Sequence, residues 1–230
     1  MLQIMKLEWN KNQMTRYFKT FVCCILGIYG FVTLIAIDSG DMGSFQEFMS
    51  LITVITNITF ITFGSVILSR LVISEFRTKT MQVLFTYPIQ RKKLLLAKLI
   101  LAYTFTTGSL LIGICLMQVT TLFLQPSLGL FAGTITWQEI VATFPKTITN
   151  AFSMGAIALI PLFFGMRKKS TATTITSAVI IGVLVNSTVS DSGKTFSLAD
   201  VVIIPLILAL LGIGIAYLSF RNIDRQDVSS

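Results

Sequence analysis

The sequence contains no histidine, and charged residues make up only 12% of it. The first absence removes H-E-x-x-H metal sites, serine-histidine hydrolase pairs and histidine-dependent phosphatase chemistry. The second leaves about half the charge of a soluble domain, which carries roughly 25%. There is also no G-x-x-x-x-G-K-[ST] segment and no glycine-rich loop to cradle phosphates, so this chain has no means of using a nucleotide. Cysteine is scarce: Cys23, Cys24 and Cys115 all lie inside apolar runs, which suggests neither a disulfide framework nor a zinc site. No catalytic residue and no metal ligand is expected, and the chain is not expected to be an enzyme.

What is present is apolar. Hydrophobic residues make up 53% of the 230, with 18 phenylalanines and a mean hydropathy of +0.81. That much apolar surface requires lipid as its solvent, and the length suits a single transmembrane domain over residues 1–230. A bilayer core of about 30 Å takes roughly 20 helical residues. Six segments meet this: Phe21–Ile37, Phe48–Ser69, Leu99–Leu124, Ile148–Met166, Thr171–Val189 and Val201–Phe220. The expected fold is therefore an all-α integral membrane protein with six transmembrane helices. Pro161 should kink the fourth span, while Pro205 sits early in the sixth, where helical amides are unpaired anyway. Gly27, Gly30, Gly212 and Gly214 suit close helix approach.

Charge fixes the orientation, because Lys and Arg near span ends stay on the cytoplasmic side. Sixteen of the 18 basic residues fall on one side: Lys6, Lys11, Arg16 and Lys19 before span one, seven from Arg70 to Lys98, Arg167 to Lys169, and Arg221 and Arg225. Only Lys146 and Lys194 fall on the other, with Asp38, Asp41, Glu47, Glu139, Asp191 and Asp200. Both termini are then cytoplasmic, in a multi-pass plasma-membrane protein. The asymmetry explains the net charge of +8 without nucleic acid.

Residues 1–19 are too polar for a cleavable signal. Leu2, Met5 and Trp9 repeat at helical spacing, as in an N-terminal helix lying on the inner leaflet; a frayed polar tail is the alternative. Pro126 and Gly129 open a longer external connector, in which Thr136 and Glu139 form a possible capping box before Trp137, Ile140, Val141 and Phe144. A short helix at the outer leaflet is expected there, either as an interfacial anchor or as a cap over a transport path.

No Asp, Glu, Lys or Arg falls inside the six spans, which disfavours intramembrane acid/base chemistry and ion-coupled carriage. Neutral polar groups do occur. Thr53, Thr56 and Asn57 in span two, and Thr173, Thr176, Ser177 and Asn186 in span five, either line a mildly polar translocation path or bond within and between helices.

The segment 74–93 is amphipathic. Thr78, Lys79, Gln82 and Thr86 share one arc and Phe76, Val83, Leu84 and Tyr87 the other, Glu75 and Lys79 form a favourable i,i+4 pair, and Pro88 ends the helix. Periodicity alone leaves a coupling helix and a lipid-surface helix equally open. The order Glu75-Phe76-Arg77, Thr80, Leu84, Pro88, Arg91 and Lys98 resembles the loop after span two in permeases of the type-2 ATP-binding-cassette exporter family. Tyr87-Pro88 stands where many members have leucine-proline. The ending Phe220-Arg-Asn-Ile-Asp224, which runs from the last residue of span six into the cytoplasmic tail 221–230, resembles the family's close.

The resemblance implies that Glu75, Phe76, Arg77, Thr80, Leu84, Pro88 and Arg91 form a cytoplasmic coupling helix docked on a separate nucleotide-binding subunit. It implies two such ATPase subunits, with ATP and magnesium bound there and no cofactor on this chain. A second permease chain, identical or related, would complete a dimer surrounded by membrane lipid. Small permeases of this family are associated with export of, or immunity to, amphiphilic antimicrobial peptides, which makes toxin or peptide export the expected role in a bacterial cell membrane. An energy-independent channel or secondary carrier is the alternative, and flux through the purified chain without ATP would identify it.

Overall fold

In the computed structural model the described residues are 14–39, 44–73, 91–130, 137–168, 170–191, 194–197 and the helical positions 205, 207, 208, 210–212 and 214. The helices are α1 (Met14–Ser39), α2 (Phe45–Leu68), α3 (Arg91–Leu128), α4 (Trp137–Ile157), α5 (Pro161–Lys168) and α6 (Thr171–Val185). A π-helical turn, Ser69–Ile73, continues α2, and a two-stranded antiparallel hairpin, β1 (Thr188–Asp191) with β2 (Lys194–Ser197), follows α6. Thr188 faces Ser197 and Asp191 faces Lys194.

Among the described residues, four apolar helical stretches are long enough to cross a membrane: Tyr17–Asp38, Phe45–Ile73, Leu94–Leu128 and Trp137–Lys168. The chain is helical and multi-pass, and these four match the first four expected spans. The fifth is shorter than expected. Its helix has 15 residues, about 22 Å at 1.5 Å per residue, against a core of about 30 Å. It stops at Val185, and Val189, expected within it, lies in β1. The β-branched run after Asn186 pairs as a hairpin instead of extending the helix. Most of the sixth expected span lies outside the described residues.

Two other boundaries differ. Residues 14–19, assigned to an inner-leaflet helix, are continuous with span one; residues 1–13 lie outside the described set. The separate outer helix around Trp137 is instead the first three turns of α4, which runs through Pro145 without a break. Trp137, Val141 and Phe144 are exposed and Ile140 is buried, so this extension keeps one packed side. Thr136 of the capping box lies outside the described residues. The next proline does break the helix. Ala158–Ile160 separate α4 from α5, bridged by tight turns from the Leu159 amide to the Ala156 carbonyl (3.1 Å) and from Ile160 to Ile157 (3.0 Å). Pro161 then occupies a first-turn position that needs no amide. Gly129, at φ 58°, ends α3, and the Gln125 side chain accepts the next amide, that of Leu130, at 3.0 Å.

Helices in lipid gain little from apolar contact as such, so close fit decides their pairing. A side chain added at Gly64 would strike Thr106, at Gly155 Thr107, at Gly165 Thr174 and Ile73, and at Gly212 the Ala156 backbone. These glycines, in or beside the α2–α3, α3–α4, α5–α6 and span six–α4 contacts, carry the close approaches. Gly27, Gly30 and Gly214, expected to do so, have nothing within 4 Å of that position; only Gly212 behaves as expected. Tyr17, Phe63 and Phe105 join α1, α2 and α3 in an aromatic triangle with centroids 5.9 to 6.4 Å apart.

Candidate functional site

Two polar features stand out among the described residues. The first is at the end of α2. Its π-helical continuation buries Ser69, Leu71, Val72 and Ile73, and the Lys98 ammonium, from the second turn of α3, donates to the Leu71 carbonyl at 2.9 Å. Lys98 is fully buried. A lysine head group in such surroundings is costly unless hydrogen-bonded, and the last carbonyls of a helix are suited to a cation because they lack intrahelical donors and carry the negative end of the dipole. π-helical turns frequently occur at functional sites. The bond spans the two ends of the segment 74–90, holding the chain that enters that loop to the chain that leaves it.

The second feature lies deeper. Asn57 of α2 donates to Asn186 Oδ1 at 2.9 Å and to Asn150 Oδ1 of α4 at 3.2 Å, and Asn150 returns a bond to Asn57 Oδ1 at 2.9 Å. Asn186 also donates from its side chain to the Gly182 carbonyl at 2.8 Å. That bond and the one from its own amide at 3.2 Å cap the end of α6. Asn57 and Asn186 are buried, and Asn150 is partly exposed. The chain has six asparagines, and the three inside expected spans all meet here. Asn57 lies near the middle of the apolar stretch Phe45–Ile73 and Asn150 near the middle of Trp137–Lys168, while Asn186 closes the end of α6.

The expected path residues divide accordingly. Asn57 and Asn186 are brought together, and Thr56, fully buried, directs its hydroxyl to Met117 Sδ of α3 at 3.8 Å. Thr53 donates to the Met49 carbonyl at 2.7 Å, Thr176 to Ala172 at 2.6 Å and Ser177 to Thr174 at 3.0 Å, each within its own helix. Thr173 belongs to the first turn of α6, its amide held by the Ser170 side chain at 3.5 Å. These four do not join the cluster. Of the coupling residues, Glu75, Phe76, Arg77, Thr80, Leu84 and Pro88 lie outside the described residues, and Arg91 is the first residue of α3.

Sequence reasoning passed over Asn150 and counted Lys98 among the loop charges. Collecting every carboxamide in an apolar run would have found the first. Lys98 carried a signal too, standing one residue before a span with apolar neighbours on both sides.

A model of the ABC-2 family of transporter proteins matches residues 4–186. The uncharacterized protein YcbO of Bacillus subtilis (strain 168) is 41% identical over 165 residues, covering 72% of this chain and 71% of the relative. No solved structure matches.

Proposed function

As the chain belongs to the ABC-2 family of transporter membrane proteins, and so is a membrane permease component and not the ATPase, we propose that it is the membrane-spanning part of an ATP-driven exporter of amphiphilic peptides or similar hydrophobic compounds. It works as a dimer with itself or a related permease in a bacterial plasma membrane, both termini cytoplasmic. Permeases of this family generally pair with ATPase subunits. Here two of them bind ATP and magnesium and dock on the segment from Glu75 to Arg91.

The observation that carries this reading is the Lys98–Leu71 bond. A motor can shift a permease only by acting differently on its two states, and it needs a stiff connection to the spans. Because the two ends of the loop are held together at the membrane surface, a push on the loop reaches α2 and α3 jointly and is not absorbed by their separation. The path then runs through α2, which carries the amide cluster at its middle and touches both α4 and α6 there.

Co-purification with the ATPase subunits tests it. Leu84→Asp and Glu75→Lys should each abolish assembly or uncouple ATP hydrolysis from transport. Unchanged assembly and unchanged coupled hydrolysis in both variants would remove the coupling role of the loop.

A further inference from the structure

We propose that Asn57, Asn150 and Asn186 form the cargo-recognition point of the permease, and that the chemistry they select is the secondary amide. This rests on the exporter reading for the existence of a cargo and adds its chemical class. A carboxamide offers two N–H donors and one carbonyl acceptor in a plane. Asn57 and Asn150 satisfy one another by exchanging a donor and an acceptor in both directions, at 2.9 and 3.2 Å. In an extended peptide the N–H and C=O of a single residue, which belong to two successive trans peptide bonds, point to the same side. A peptide segment can therefore pair with a carboxamide in both directions and take the place of either partner without leaving the other unsatisfied.

The location makes that exchange consequential. Water is scarce near the middle of a bilayer, and a buried amide that loses its partner regains nothing from lipid. The junction of α2 with α4 and α6 therefore parts cheaply only for a molecule that replaces the lost bonds. A purely hydrocarbon cargo does not. Asn150 is the point of entry, because it alone of the three is partly exposed. Asn186 links recognition to shape, since its side chain also holds the end of α6 through the Gly182 carbonyl. The hydroxyls of Thr53, Thr176 and Ser177, the other polar groups on α2 and α6 expected to line a path, bond within their own helices, whereas the carboxamides bond to one another across helices.

The test is equilibrium binding to the full chain in lipid nanodiscs. The probes are fluorescent N-acetyl-tetraleucine amide and its backbone N-methylated analogue, which keeps the apolar side chains and carbonyls but loses the donors. After subtraction of partitioning into protein-free nanodiscs, the first should bind on the order of tenfold more tightly, the effect of one buried amide left unpaired. Asn150→Leu should bring the ratio close to one, and Asn150→Gln, which retains the carboxamide, should recover part of it. A ratio near one in the wild type overturns the proposal, and so does an undiminished ratio in Asn150→Leu. If Asn150→Leu does not insert, the wild-type ratio decides alone. No ATP is used, so this ratio can vanish while Leu84→Asp still uncouples the ATPase, and the reverse result separates the two readings equally well.

Discussion

The joint formed by Lys98 and Leu71 and the amide cluster both place polar groups in an apolar interior, but they do so with opposite means. At the joint the ammonium of the fully buried Lys98 donates to a main-chain carbonyl, that of Leu71. In the cluster three neutral amides hold one another. A buried charge has few substitutes for its partner, so the joint is suited to staying in place while force passes through it. Carboxamides find equivalent partners in one another and in any peptide group, so the cluster is suited to exchange. Stiffness near the loop and exchangeability at mid-membrane are what a permease moved from outside requires.

The largest effect expected concerns the joint. Gly165 of α5 faces both Thr174 and Ile73 without room for a Cβ, so Gly165→Leu must push α5 away from α6 and from the π-helical turn. Overpacking costs about 1–3 kcal/mol, occasionally more, and the upper end is expected because side chains on two different elements, Thr174 and Ile73, must both yield. Gly27→Leu, where nothing lies within 4 Å, is the matched control. Thermal unfolding of the two variants in detergent should separate them clearly; equal transitions would show that the joint is not close-packed.

Lys98→Met comes next. It keeps an apolar stem of similar length and removes the buried donor to the Leu71 carbonyl, and breaking a buried hydrogen bond of this kind costs about 1–3 kcal/mol. A loss in that range is expected by the same measurement. Coupled ATPase activity should fall further than that loss explains if the joint transmits force. A variant with full stability and full coupling would place Lys98 among ordinary packing residues and erase the contrast.

Much of this contrast was only half legible in the sequence. Hydropathy located four long helices because a bilayer sets their length, and Pro161 announced its break because the missing amide has one structural meaning. Asn57 and Asn186 were visible as polar residues in apolar runs, but their meeting depends on how α2 and α6 pack across 129 positions of separation. The π-helical turn left no mark, since one widened turn scarcely alters a hydrophobic pattern. Lys98 was read as a loop charge because orientation rules weigh where a charge stands in sequence and not what surrounds it. The early end of α6 was hidden by Ser187, Thr188 and Val189, which suit a strand as well as a helix.

A double-mutant cycle on Asn57 and Asn186, using leucine at each, should return a coupling of about 0.6 kcal/mol and no more than about 1.7, the range of side-chain hydrogen bonds between membrane helices. Such modest coupling is what an exchangeable contact needs. A coupling of several kcal/mol would make the cluster a permanent clamp and assign it the role given above to the joint.

The smallest effect sharpens the comparison most. Thr176 is exposed on α6, and its hydroxyl bonds to the Ala172 carbonyl of the same helix at 2.6 Å. That carbonyl already belongs to the helical ladder, so losing the hydroxyl leaves no main-chain group unpaired. Valine preserves the branched shape and stays compatible with a helix. Thr176→Val should therefore change stability by less than about 0.5 kcal/mol and leave the amide-probe ratio of the wild type intact. If it instead lowered that ratio as Asn150→Leu does, recognition would extend along the α6 surface, and polar character in general, not the three carboxamides, would be what the cargo meets.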